Sequence, residues 1–168
     1  MAYSSAGLIP LLQNKQNIIG LEIGICQGDG PVNILEKLPQ LTLHGVDPYI
    51  SYTDWNGISI NSDIDYKIAS EKFIKFGNRF IHHKLTSDDA VKYFSDTSFD
   101  YIFIDGLHTY EQVLLDCRNY YSKLKHGGIF AGHDFNTIQG VARAVTEFGN
   151  SVDRTPVLIE SDAWYWIK

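Results

Sequence analysis

Short apolar runs that mostly end in an acid, each separated from the next by enough chain for a helix, constrain this sequence more than any other feature. "NIIGLEIG" (17–24) and "LTLHGVD" (41–47) open the series, and "RFIHHKL", "FDYIFID" and "GGIFAGHD" continue it. The stretches "GPVNILEKLP", "IDYKIASEKFIKFG", "SDDAVKYF", "TYEQVLLDCRNYYSKLK" and "QGVARAVTEFGN" read as helices. Parallel strands need long crossovers and helices fill them, so the pattern predicts a doubly wound, Rossmann-like α/β sheet. "TPVLIE" and "AWYWIK" are separated only by the turn-prone Ser161-Asp162, with no room for a helix. Those two runs are expected to pair antiparallel, giving a mostly parallel sheet with an antiparallel C-terminal strand. At 168 residues, with no repeat and no linker, the chain is expected to be one domain over 1–168, with 1–16 as a short N-terminal segment.

Ligands of such sheets bind beyond the carboxyl ends of the strands, which makes the residues just after each run the candidates. The first run ends in Glu22-Ile23-Gly24-Ile25-Cys26-Gln27-Gly28. This is not a G-x-G-x-x-G fingerprint, because Asn33 stands where a third glycine belongs, and no Gly-Lys-Ser/Thr makes it a P-loop. Glycines let a ligand touch the backbone, while an acid at the mouth repels pyrophosphate and favours a cation. Asp47, about 20 residues beyond, is placed to accept from ribose hydroxyls. Ser87-Asp88 follows the third run, Asp105 and His108 the fourth, and His133-Asp134 the fifth. A nucleoside with a cationic centre fits this series of acids, and S-adenosylmethionine is such a nucleoside.

The stretches "EIGICQG", "GVD", "FDYIFIDGLHTYEQVLLDCRNYYSKLKHGGIFAGHD" and "GVARAVTEF" resemble a class I S-adenosylmethionine-dependent methyltransferase. The nearest likeness is to the group related to macrocin O-methyltransferase and the cephalosporin-hydroxylase-like proteins, over roughly residues 17–168. The resemblance implies that Glu22, Gly24, Ile25 and Gly28 shape the methionine pocket, Asp47 holds the ribose, Ser87 and Asp88 border the adenine, and Asp105 adjoins the nucleoside. In that group a divalent metal is held by the aspartate matching Asp105 and by an acidic pair after the fifth strand, and the histidine matching His108 is the base. Here the pair is His133-Asp134, so the implied ligands are Asp105, His133 and Asp134. Magnesium favours oxygen donors, and this mixed set suits manganese, iron or zinc better. The implied acceptor is a small molecule, a sugar hydroxyl first and a phenol next.

Each residue also has a structural alternative. Glu22 can serve a helix dipole, Asp47-Pro48 a turn, Ser87-Asp88 a helix cap, and Asp105 or His108 the cap of the helix starting near Thr109. His133-Asp134 can be a satisfied hydrogen-bonded pair. One of His82 and His83 is expected to be packed and the other solvated. His44 and His126 are expected to be structural or exposed, and Cys26 and Cys117 to be buried small hydrophobes. Tyr49, Tyr52 and Trp55 read equally as a substrate lid or as packing.

Composition narrows the function classes. The net charge of −6, with no clustered Lys or Arg, argues against nucleic-acid binding. Neither a basic leader nor a long apolar run is present, so no signal peptide or membrane span is expected. Two cysteines without a CxxC pair favour a reducing, cytoplasmic setting. The acceptor pocket is expected to draw on residues 49–64, on the N-terminal segment and on a partner subunit if the chain is a homo-oligomer. Two rival readings stand beside the methyltransferase: a nucleoside-binding module without catalysis, and a nicotinamide-dependent oxidoreductase, against which the absent third glycine argues.

Overall fold

The computed structural model describes residues 4–53, 59–60, 62–159 and 162–168. After a 3-10 turn at Ser4–Leu8 come α1 (Ile9–Leu12), β1 (Ile18–Ile23), α2 (Asp29–Lys37), β2 (Leu41–Val46), β3 (Tyr52–Thr53), β4 (Ser59–Ile60) and α3 (Ser62–Phe73). β5 (Phe80–His83), α4 (Ser87–Ala90), β6 (Phe99–Ile104), α5 (Tyr110–Tyr121), β7 (Leu124–Gly132), α6 (Gln139–Ser151), β8 (Val157–Ile159) and β9 (Ala163–Ile167) follow. The main sheet runs β5-β2-β1-β6-β7-β9-β8. Pairing is parallel from β5 to β7, and β9 lies antiparallel to both β7 and β8. The antiparallel strand is thus inserted between its neighbours, with the edge left to β8. Strand order reverses between β1 and β6, which is where a doubly wound sheet opens a ligand crevice.

Side chains alternate across each strand, so one strand feeds two cores. On β6, Ile102 and Ile104 join a cluster with Val113, Leu114 and Cys117 of α5 and Val141, Ala144 and Val145 of α6. Tyr101 and Phe103 face the other way, among Ile34 and Leu35 of α2, Phe73 of α3, and Leu8 and Leu12. On β1 the same alternation puts Ile18 in that second cluster and Leu21 and Ile23 in the first.

Three segments differ from the sequence expectation. Residues 4–12 form a 3-10 turn and one helical turn that bury Leu8 and Leu12 completely. The helix expected over 109–125 stops at Tyr121, and Leu124 already pairs with Phe99 of β6. The helix expected through Gly77 ends at Phe73, and a 3-10 stretch, Ile74–Arg79, carries Gly77 at a φ of 54°. Within 49–64 a short antiparallel hairpin pairs β3 with β4. Trp55, and Ser161 of the expected final turn, lie outside the described residues. No described helix is long and apolar enough to cross a membrane.

Candidate active site

The glycine bend is built by backbone crowding at the switch point. Gly24 has a φ of +87°, and a β-carbon there would lie 2.0 Å from the Asp105 carbonyl oxygen. The close approach that requires glycine is therefore between the ends of β1 and β6. Gly28, at a φ of +82°, caps α2, and a β-carbon on it would meet the Phe73 ring at 2.8 Å. Between the two glycines, the Ile25 and Cys26 N–H groups donate to Asp47 Oδ2 at 2.9 and 3.0 Å. Tyr49 N–H donates to Oδ1 of the same carboxylate at 2.9 Å, and Tyr49 Oη donates to the Cys26 carbonyl at 3.0 Å. Asp47 thus braces the bend as well as facing the cavity beside it. Cys26 and Tyr49 both hold a φ of +48°, a strained conformation for residues with side chains.

Glu22 sits one step before this bend on the face of β1 shared with Ile18. It is 2% exposed, lines the cavity, and its Oε2 has no hydrogen-bond partner among the described residues. Burial pushes its carboxyl well above the usual range, the Asp105 charge pushes the same way, and the Ser5 hydroxyl opposes them. A buried carboxyl oxygen left without a donor carries a desolvation penalty that a cation or a further hydrogen-bond donor would relieve.

The other side of the switch point is arranged in the opposite sense. His108 Nε2 lies 2.9 Å from Asp134 Oδ2 and 3.4 Å from Asp105 Oδ1, and His133 Nδ1 lies 3.3 Å from Asp134 Oδ1. Burial draws the His108 imidazole down, but the hydrogen bonds to Asp105 and Asp134 outweigh it and lift it to about 9. Hydrogen bonds from His108 and then His133 hold Asp134 far below the ordinary carboxylate range, and the bond to Asp134 raises His133. Asp134 itself has a φ of 59° at the end of β7. Ligand atoms of Asp105, His108 and Asp134 lie within 4.8 Å of one another, and so do those of His133, Asp134 and Asp162. Asp162 is already committed: it accepts from the N–H groups of Asn136 and Thr137 and from the Thr137 hydroxyl.

A cavity of about 1250 Å³ joins the two sides. Its wall runs from Glu22 through the glycine bend, past Asp47 and Ser87-Asp88, to Asp105, His108 and Gln112. A drug-sized ligand occupies a site of roughly 300–1,000 Å³, so this one has room for a nucleoside and a second small molecule.

A family model described as "Methyltransferase domain" matches residues 21–135, more than half of the chain. The chain belongs to this methyltransferase family. A search of curated proteins returns no match. Among solved structures, the methyltransferase domain is similar to a Staphylococcus aureus protein assigned as a caffeoyl-CoA O-methyltransferase, with 14% identity and a TM-score of 0.65 over 97% of this chain and 80% of that one. It is similar to a Burkholderia thailandensis 1,6-didemethyltoxoflavin-N1-methyltransferase holding its substrate and S-adenosylhomocysteine, with 13% identity and a TM-score of 0.65 over 98% and 77%. A Nostoc punctiforme protein assigned as an O-methyltransferase matches with 10% identity and a TM-score of 0.65 over 98% and 56%. At these identities the likeness establishes the fold.

Within the methyltransferase domain the alternatives resolve residue by residue. The cap of α4 is Thr86, which accepts from Asp89 N–H, so neither Ser87 nor Asp88 caps it. Thr109 caps α5, which frees Asp105 and His108 from that role. His83 and His44 share a 2.9 Å hydrogen bond with stacked rings, and His82 packs among Tyr49, Tyr66 and Phe80, so both strand histidines pack against rings and both stay half-buried. His126 is exposed. Cys117 is buried as expected, but Cys26 is exposed at the rim of the cavity. Tyr49 is buried under Tyr66 and His82, which makes it packing and not a lid. Two residues of α5 escaped sequence reading: Gln112 on the cavity wall and the buried Asp116 behind it. Their one signal was an i, i+4 polar pair on an otherwise apolar helix face.

Proposed function

We propose that this domain binds S-adenosylmethionine and transfers its methyl group to a hydroxyl of a small molecule. The observation that carries the reading is the Glu22 carboxyl, buried beside a glycine bend at the switch point with one oxygen that no described residue partners. A bound ammonium or sulfonium would offset its desolvation and favour the ionised form of the carboxyl. The chemistry of the cavity fits that ligand: an acid and close backbone at one end, a braced Asp47 for hydroxyls, and a polar wall at Ser87, Asp88 and Gln112.

Methyl transfer from a sulfonium is a displacement at carbon that needs alignment and removal of the acceptor's proton. His108 stands on the cavity wall with Asp134 and Asp105 fixing its ring. Its imidazole is protonated at neutral pH, so it accepts a proton only after giving one up. A divalent ion held by Asp105, His108 and Asp134 would polarise the hydroxyl and lower its pKa. The metal set read from the sequence, Asp105 with His133 and Asp134, is split across two overlapping groups, and only the first of these borders the cavity. The two roles of His108 exclude each other, because a ligated Nε2 has no lone pair for a proton. The narrower likeness to the macrocin O-methyltransferase group supports a sugar hydroxyl as acceptor. The test is release of S-adenosylhomocysteine across a panel of sugars and phenols, with and without manganese or magnesium. Release with one acceptor class supports the reading, and silence across the panel from protein that binds the nucleoside would leave a binding module.

A further inference from the structure

Gln112 and Asp116 on α5 are unexplained by the steps above. Gln112 lines the cavity beside Ser87 and Asp88, while Asp116 is 1% exposed one helical turn deeper. The Gln112 amide nitrogen, Nε2, lies 3.2 Å from Ser87 Oγ, 3.2 Å from Asp88 Oδ1 and 3.1 Å from Asp116 Oδ1. A carboxylate only accepts, so two of these neighbours admit the NH2 and exclude the carbonyl. The amide is therefore locked in one orientation, and no donor among the described residues reaches its Oε1. Tyr120 Oη donates to the Ser87 carbonyl at 2.7 Å and fixes the α4 side of the arrangement.

We propose that Gln112 reads the nucleobase: its Oε1 accepts from the exocyclic amine of adenine, and Asp116 with Asp88 is the device that keeps Oε1 turned toward the base. This rests on the nucleoside reading given above. Hypoxanthine presents a carbonyl where adenine presents the amine, so it would set two acceptors against each other. A site built to bond a donor rejects the analogue lacking it. Asp116 touches no ligand and is a positioning residue.

The experiment is calorimetric titration of the purified chain with S-adenosylhomocysteine and S-inosylhomocysteine. Wild type should prefer the adenosine compound by at least about tenfold, the factor one lost hydrogen bond represents. Gln112→Leu should bring the ratio near one by weakening the adenosine compound. Asp116→Asn should reduce the ratio severalfold, and Asp88→Asn with Asp116→Asn should let the amide turn over and favour the inosine compound. Gln112→Met reads the same loss should the leucine variant fail to fold. A ratio near one in wild type, or a ratio unmoved by the Gln112 and Asp116 substitutions in folded protein, overturns the proposal. Wild type that binds neither compound sinks the nucleoside reading instead.

Discussion

The two halves of the cavity handle buried charge in opposite ways. At the end of β1, Glu22 is almost wholly buried and one of its oxygens has no partner among the described residues. At the ends of β6 and β7, Asp105 and Asp134 converge on His108, and each charge meets an opposite one. The first half is completed only by something that enters; the second is complete already and must be unmade before it reacts. Neutralising the acid in the first should therefore weaken binding while relieving the empty fold. Substitutions in the second should spare binding, cost stability and abolish turnover.

The largest effect on stability should come from Gly24→Ala. The new β-carbon meets the Asp105 carbonyl and requires a positive φ, so destabilisation on the order of 3 kcal/mol is expected, with loss of nucleoside binding. Chemical denaturation and titration of the same sample measure both.

Glu22→Gln sharpens the comparison further. Affinity for S-adenosylmethionine should fall about 10²-fold, as when one partner of a buried ionic contact is removed. The folded-state pKa of Glu22 lies above its unfolded value, so its contribution to stability is intact at low pH and is lost as pH rises through the folded value. The glutamine variant should thus melt higher than wild type, by a margin that widens with pH. A lower melting temperature at alkaline pH would place Glu22 in a satisfied contact.

His108→Gln addresses the other half. Nucleoside binding should persist and turnover should drop by about 10²–10⁴-fold. Because the imidazole is raised from 6.5 to about 9, its stabilising contribution is full below 6.5 and disappears as pH rises through about 9. Wild-type turnover without added metal should climb toward that pH, and Asp134→Asn should move the climb to lower pH. A profile flat between neutrality and pH 9 would remove the His108 proton from the rate.

The smallest effect belongs to Tyr49→Phe, which deletes only the bond to the Cys26 carbonyl. About 1 kcal/mol of stability should be lost, with binding nearly unchanged.

Both halves were legible in the sequence to different degrees. Strand-terminal acids announce themselves because a buried strand is an apolar run and a carboxylate ending it is conspicuous; Glu22, Asp47, Asp105 and Asp134 all stood out this way. What the sequence hid was partnership. Nothing local says that Asp47 would spend itself on three backbone N–H groups, or that His108 would lie closer to Asp134 than to Asp105. Gln112 and Asp116 were invisible because a polar i, i+4 pair on a helix usually faces water. The turn at Leu8 and Leu12 was missed because a helix of four residues has no measurable period. β7 begins early because Leu124 is held by β6, a tertiary contact that overrides the helical look of the tail of α5.

Proton movement on nucleoside binding reports the role of Glu22 most directly. S-adenosylmethionine should be titrated into wild type and Glu22→Gln by calorimetry near neutral pH, in two buffers of different ionisation enthalpy. Proton release in wild type that is diminished in the glutamine variant is the expected result, because burial raises the Glu22 carboxyl and the incoming cation favours its ionised form. Tight binding with the same buffer dependence in both proteins, or no binding at all, would contradict it.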